Sequence, residues 1–373
     1  MVPMPRTSRS STVLVSLLTP PGRGALAVVG VAGEGAVAIV DRGFAARGGR
    51  SVAERDDGSI AFGAWRTTGE DLVVVRRRGD VVEVHCHGGV AAAAAVVASL
   101  VDLGAEEVPW PRWLAAAGAS ETVVEAHEAL ALAAGPKAAR ILARQAAGAL
   151  DTEFTRIERL RAGGDRPAVD AACDTLLRAA RVGLRLTRPW RVVVAGAVNA
   201  GKSSLVNALA GHARCIVSPE PGTTRDVVET RVVLDGWEVD LVDTAGLRPD
   251  AEAAGPTERA GIARAEAAAQ NADLVLRVGP AADAPPPAAP DEVLVASKTD
   301  LASVSTSWPA DAVPTSTTTG AGIGDLAALI VARLVPEEHA QPDLLAGAVP
   351  FTPLQVAAVE RFMRPAHDPH ALP

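Results

Sequence analysis

Val192-Val193-Val194-Ala195-Gly196-Ala197-Val198-Asn199-Ala200-Gly201-Lys202-Ser203-Ser204-Leu205-Val206-Asn207-Ala208-Leu209-Ala210 decides the fold. The short apolar run Val192–Ala195 predicts a buried strand, and Ser204–Ala210 predicts a helix. Between them, Gly196 to Ser203 carries the spacing GxxxxGK[ST] in the strand–loop–helix context that its physics requires. The glycines let the backbone curl, so that N–H groups from Asn199, Ala200, Gly201, Lys202, Ser203 and Ser204 converge on a polyphosphate at a helix N-terminus. Lys202 brings a compact ammonium to the β- and γ-phosphates, and Ser203 offers a hydroxyl to Mg2+.

Working outward, strands and helices alternate to about Val335, the pattern of an α/β sheet. Gly222-Thr223-Thr224-Arg225-Asp226 places a threonine pair in a loop. Val232-Val233-Leu234-Asp235-Gly236-Trp237 reads as a hairpin closed by Asp-Gly. The strand Val239–Val242 then delivers Asp243 to the phosphate end of the sheet, where a carboxylate holds Mg2+ through water. Gly246 lets a backbone N–H approach the γ-phosphate. Ser297-Lys298-Thr299-Asp300 follows the strand Val293–Ala296. The Asp300 carboxylate accepts both N1–H and the exocyclic amine of guanine, a donor pair that adenine lacks. The Lys298 stem covers the loop and the base, and Ser316-Thr317 stands where a backbone N–H meets guanine O6. The nucleotide so read is GTP, not ATP.

Composition narrows the rest. The 373 residues carry 36 Lys+Arg against 44 Asp+Glu, a net charge of −8, with room for two or three domains. Aromatics are 3% with no Tyr, which excludes a ring-stacking surface for single-stranded nucleic acid. The longest apolar run, Val90–Val101, falls short of the ~20 residues a bilayer needs. Val13–Leu18 is shorter than a signal-peptide core, so the expectation is a cytoplasmic chain with no membrane span. Cys86, Cys173 and Cys215, without a CxxC, describe neither a disulfide framework nor a zinc site. In His85-Cys86-His87 the histidines share one face of a strand and no third ligand is near, which favours a strand end over a metal site. Lysine occurs only at 137, 202 and 298, and two of these three stand in the motifs above.

Upstream, Val13–Leu18, Ala25–Val31, Leu72–Arg76 and Val81–His85 read as strands with a helix in the alanine-rich 90s, an α+β domain. Ser120 to Thr187 reads as helical, punctuated by Pro136, Gly163-Gly164 and Pro167. Residues 137–191 hold twelve basic against six acidic residues, and Arg178, Arg181 and Arg185 share a helix face. A solvated face is favoured there over an RNA-contacting one. Pro353–Met363 is a short helix in the tail.

On the segments NAGKSSLVNALAG, GTTRD, DTAGLR, ERAGIARA, TPPGRGALAVVGVAG and GDVVEVHCHGG, the chain resembles the MnmE (TrmE) family of tRNA-modification GTPases over about residues 12–363. The resemblance implies a multi-domain protein. Its parts are an α+β N-terminal folate-binding-like domain (12–116), an α-helical domain (first part 117–188), an inserted Ras-like P-loop α/β GTPase domain (189–335) and a tail with one returning helix (336–373). It implies GTP/GDP binding, Mg2+ held by Ser203, Thr224 and Asp243, and a catalytic set of Lys202, Thr224 and Glu258, the last positioning water. It further implies K+ in place of an arginine finger, held by Asn199, Ser218, Glu220 and Thr223, and homodimerisation through the N-terminal domain. A tRNA or flavin-dependent modification partner belongs to the same picture, as does a folate-contacting position at Glu83.

Departures from that pattern shape three readings. The family's arginine in the second N-terminal strand falls on Gly30, so a folate derivative is doubtful as a cofactor. Ser297 replaces the usual Asn of the guanine motif, and the crossover before it shrinks to the Pro/Ala loop 280–290. The family closes on Cys-Ile-Gly-Lys, whereas here no cysteine follows Cys215 and the sequence reads Asp368-Pro369-His370-Ala371-Leu372-Pro373 at its end. The expectation is a GTPase linked to wobble-uridine modification, with the modification chemistry lost or supplied by a partner. The alternatives are a regulatory or ribosome/RNA-assembly GTPase, and a weakly hydrolysing interaction module.

Overall fold

The computed structural model describes residues 12–20, 22, 24–133, 135–213, 228–243, 271–336 and 342–364. The chain divides after Val124 into two compact units.

The first unit is a sheet backed by helices. Its strands are β1 (Leu14–Leu17), β2 (Leu26–Ala32), β3 (Phe44–Ala46), β4 (Ile60–Trp65), β5 (Asp71–Arg76), β6 (Val81–His87) and β7 (Glu106–Glu107), in the order β3-β4-β5-β6-β2-β1-β7. All pairs are antiparallel except β1 with β7. Strand alternation puts Val29, Val31, Val82, Val84 and Cys86 into one core with Val96 and Leu100 of α2 (Val90–Asp102) and Val37 and Val40 of α1 (Ala36–Gly43). The opposite face carries Gly30, Glu83 and His85, and α3 (Trp110–Ala116) covers part of it with Trp113. Helix α1 and strands β3 and β4 carry too little sequence signal to be expected. The first is only eight residues long, and β4 runs unbroken through Gly63, where a Cβ would stand 2.2 Å from the Ala45 carbonyl.

In the second unit the helical residues anticipated as breakers prove to be helix ends. Helix α4 (Glu121–Leu132) spans the division, and Pro136 opens α5 (Pro136–Ala146) at its first position. Gly163 closes α6 (Ala149–Ala162), and the Asp165 carboxylate caps α7 (Arg166–Gly183) by accepting from Ala168 N–H at 3.1 Å.

A sheet follows, built from β8 (Trp190–Gly196), β9 (Val228–Leu234), β10 (Trp237–Asp243), β11 (Leu274–Pro280), β12 (Val293–Ser297) and β13 (Val313–Pro314). The order is β13-β12-β11-β8-β10-β9, parallel throughout except for the β9–β10 hairpin. Leu205, Val206 and Leu209 of α8 (Lys202–His212) are buried with Leu326 and Ile330 of α9 (Ile323–Leu334) against Val192, Val194 and Leu276. Each such side chain contributes about 1.5–3 kcal/mol. The 281–292 connection from β11 to β12 contains no helix, as its prolines require. It is held instead by Trp308, whose indole N–H donates to the Asp283 carbonyl at 2.8 Å. Helix α10 (Pro353–Met363) returns to α7, where Val359 joins Leu150, Ile157, Val169 and Leu176.

Candidate functional site

Strand β8 has β10 on one side and β11 on the other, so the connections diverge at its C-terminal end. Open parallel sheets take ligands at that point. Gly196 ends β8 at φ +155°, and a Cβ there would lie 2.2 Å from the Val278 carbonyl of β11; only glycine lets the loop leave the sheet so close to its neighbour. The chain then turns through Ala197–Ala200, with Asn199 in the left-handed region at φ 65°, and enters α8 at Gly201, φ 93°. The helix begins at Lys202, two residues before the sequence predicts. Ser203 and Ser204 stand in its first turn, where helix N–H groups face outward and suit an anion.

Lys202 is buried, yet its ammonium donates to the Gly196 carbonyl at 3.0 Å and the Ala197 carbonyl at 2.8 Å. Gly196 ends β8 and Ala197 opens the loop, so the ammonium is held where the chain leaves the sheet. Ser203 is exposed at the helix start. Asp243, the last residue of β10, is buried and in register with Val194 of β8. One carboxylate and one hydroxyl beside a phosphate cradle fit Mg2+, which is held by few protein oxygens and completes its shell with phosphate and water.

The turn that follows β12 is stitched to this loop. The Ser297 hydroxyl, buried at the end of β12, lies 2.7 Å from the Ala200 carbonyl and 3.1 Å from the Gly279 carbonyl. Ser297 thus supplies a brace to the phosphate loop, a role its one-carbon side chain does not advertise in the sequence. Lys298 adopts φ 60°, an uncommon conformation for lysine, and its ammonium donates to the Asn199 carbonyl at 2.7 Å. Asp300 is exposed and accepts from the Ser316 hydroxyl at 2.6 Å. That bond, first among several, holds the Asp300 carboxyl below the usual carboxylate range, which keeps it an acceptor. One expectation is corrected here. The Ser316 N–H donates to the Ala321 carbonyl at 3.0 Å and is spent within its own turn, so Ser316 acts through its hydroxyl on Asp300.

Thr223, Thr224, Gly246, Glu258, Ser218 and Glu220 lie outside the described residues. Glu83 lies in the first unit, directly opposite Gly30 across the β2–β6 ladder. Its carboxylate is gripped by Arg77 through two bonds of 2.8 Å and meets His85 Nε2 at 3.1 Å. Burial pushes Glu83 up, but the Arg77 and His85 bonds outweigh it and the net shift is downward. Trp113 fills the space over Gly30, where a Cβ would come within 2.5 Å of the buried indole. With the sheet surface plugged and the carboxylate engaged, these residues do not fit a folate. His87 turns to Glu70 at 2.8 Å, and among the described residues no group of three His, Cys, Asp or Glu could hold a metal. Arg185, expected on a shared face with Arg178 and Arg181, is drawn to Asp273 and stacks on Trp190 at 5.0 Å.

A strand–loop–helix cradle, a carboxylate at the neighbouring strand end and a Ser-Lys-Thr-Asp turn braced onto the loop are the parts of a P-loop GTPase domain. Residues 191–301 match the family model described as 50S ribosome-binding GTPase. The chain is similar to a tRNA modification GTPase MnmE of Thermus thermophilus, at 33% identity over 96% of this chain and 89% of that protein. It is also similar to the tRNA modification GTPase MnmE of Acidiphilium cryptum, at 39% identity over 68% of this chain and 65% of that protein. The chain belongs to the MnmE family of tRNA modification GTPases. No helix among the described residues is long and apolar enough to cross a membrane.

Proposed function

We propose that the chain binds GTP with Mg2+, hydrolyses it to GDP and phosphate, and couples that turnover to tRNA modification. The observation that supports the nucleotide part is the double brace of Ser297 and Lys298 onto the carbonyls of Ala200 and Asn199, which ties the turn carrying Asp300 to the loop that leads into Lys202. Asp300, aided by Ser316, selects guanine; the Thr317 N–H is then the candidate donor to O6. Lys202 trades its loop carbonyls for the β- and γ-phosphates, gaining charged acceptors for neutral ones. Ser203 and Asp243, with Thr224, would hold Mg2+, which neutralises the charge that develops between the phosphates. Glu258 would orient the attacking water.

Potassium stimulation is part of the same proposal. Asn199 is exposed and its backbone carbonyl is taken by Lys298, which leaves its side-chain oxygen to offer a cation beside Ser218, Glu220 and Thr223. The family relationship supports tRNA as the object of the modification, a flavin-dependent partner, a homodimer and a cytoplasmic location. Phosphate release from GTP in K+ and in Na+, with Lys202→Ala as control, tests the hydrolytic part. Turnover unaffected by Lys202→Ala would refute the assignment, and equal rates in the two salts would remove potassium from it.

A further inference from the structure

Lys137 is the lysine that the nucleotide site does not use. It sits at the second position of α5, and α5 lacks a capping side chain of its own because its N-cap is Gly135. The cap comes instead from the β9–β10 hairpin. Gly135 N–H donates to Glu238 Oε1 at 3.2 Å, and Lys137 N–H donates to the Gly236 carbonyl at 3.3 Å. The Lys137 ammonium meets Asp235 Oδ2 at 2.8 Å and stands 6.0 Å from the Trp237 ring centroid. A carboxylate and a carbonyl at a helix N-terminus satisfy orphan N–H groups and oppose the helix dipole.

The fit leaves no slack. Asp235 and Gly236 turn the hairpin at φ 44° and 84°, and a Cβ on Gly236 would press to 2.9 Å of the Lys137 stem. On the other side, a Cβ on Gly135 would stand 2.7 Å from the Gly236 carbonyl. The strand that begins at Trp237 beside this clasp ends at Asp243, the carboxylate assigned to Mg2+. Seven residues of extended chain, about 24 Å, join the two. At its far end α5 is tied in as well. Buried Gln145 donates to the Gly347 carbonyl at 3.2 Å and accepts from Val349 N–H at 3.2 Å, which continues into α10.

We infer that the Asp235–Glu238 turn is a borrowed N-cap through which α5 reads the occupancy of the nucleotide site, with Lys137 and Glu238 as the positioning residues. The inference rests on the proposed GTP reading. A small shift of Asp243 on taking up Mg2+ and the γ-phosphate is carried along β10, and the hairpin tip then tightens or releases the first turn of α5. No group in the clasp touches the nucleotide, so the basal site is intact without it.

Hydrogen exchange on the full chain, with Mg2+ and either GDP or a non-hydrolysable GTP analogue, tests this. Protection in residues 138–142 should differ between the two nucleotides by ~5–10-fold, the scale of one helix cap. In Glu238→Leu combined with Lys137→Met, which removes the acceptor of Gly135 N–H and the ion pair to Asp235, the difference should fall sharply while nucleotide affinity stays as in the native chain. The pair Lys137→Asp with Asp235→Lys should restore part of the response, which a purely structural role would not do. Analogue binding with no change in α5 of the native chain overturns this inference alone. Absence of analogue binding overturns it together with the GTP reading.

Discussion

Ser297→Ala isolates the brace between the base-reading corner and the phosphate loop. In the native chain a single buried hydroxyl serves the Ala200 carbonyl at 2.7 Å, with the Gly279 carbonyl 3.1 Å away. Ala200 is itself buried, so its carbonyl has no ready solvent replacement. Losing a buried hydrogen bond costs about 0.5–1.5 kcal/mol net, and stranding the acceptor raises this to about 1–3 kcal/mol. Part of that loss falls on global stability and part on the loop's readiness for phosphate. A loss of about 1–2 kcal/mol in nucleotide binding corresponds to ~5–30-fold in Kd. The brace touches the loop backbone rather than the γ-phosphate end, so GDP and the GTP analogue should lose affinity alike. Calorimetric titration of both nucleotides into the folded variant, with its melting point measured separately, reads this out. Unchanged affinity would refute the brace, and so would a loss confined to the triphosphate.

Asp300→Asn should turn the preference from guanine toward xanthine, because an amide donates to the carbonyl that replaces the guanine amine; competition against a fluorescent guanine nucleotide measures it. Since Ser316 keeps Asp300 below the usual carboxylate range, the ionised acceptor survives as pH falls toward the ordinary value of ~3.9. GDP affinity should therefore be flat from about pH 8 to about pH 5. In Ser316→Ala the fall should begin at higher pH, as a fluorescence titration at each pH would report. Gly30→Ala should destabilise the first unit by about 1–3 kcal/mol by driving a methyl into the Trp113 indole, seen as a lower melting point. Gly30→Arg should likewise fail to create folate binding by calorimetry, and micromolar folate binding by the native chain would show that Trp113 is no plug.

The phosphate loop was legible because its chemistry is written in residue types at fixed spacing: a glycine where φ is positive, a lysine, a serine and a strand on one side. The turn after β12 was legible as the end of a strand, and the guanine reading placed on Asp300 there belongs to the proposal. What escaped depends on where side chains end up across long sequence separations. Ser297 reaches Ala200 across 97 residues, and nothing local marks it as a brace. Trp113 closes over Gly30 from a helix that the sequence pattern does not suggest, so the loss at Gly30 was visible but its compensation was not. The use of the Ser316 N–H inside its own turn is equally a matter of loop closure, which residue identity does not specify. Lys137 did leave a trace. In a chain with three lysines, the one outside the nucleotide motifs sits against the hairpin that carries Asp243.

Everything proposed for this chain depends on the phosphate loop and the guanine corner holding GTP together. Calorimetry of the purified chain with GTP and with ATP, each with Mg2+ at matched ionic strength, tests this most directly. Saturable GTP binding with one site per chain, at least a hundredfold weaker or undetectable binding of ATP, and loss of both in Lys202→Ala are the predicted result. Equal affinity for the two nucleotides, or full GTP affinity in Lys202→Ala, would contradict it.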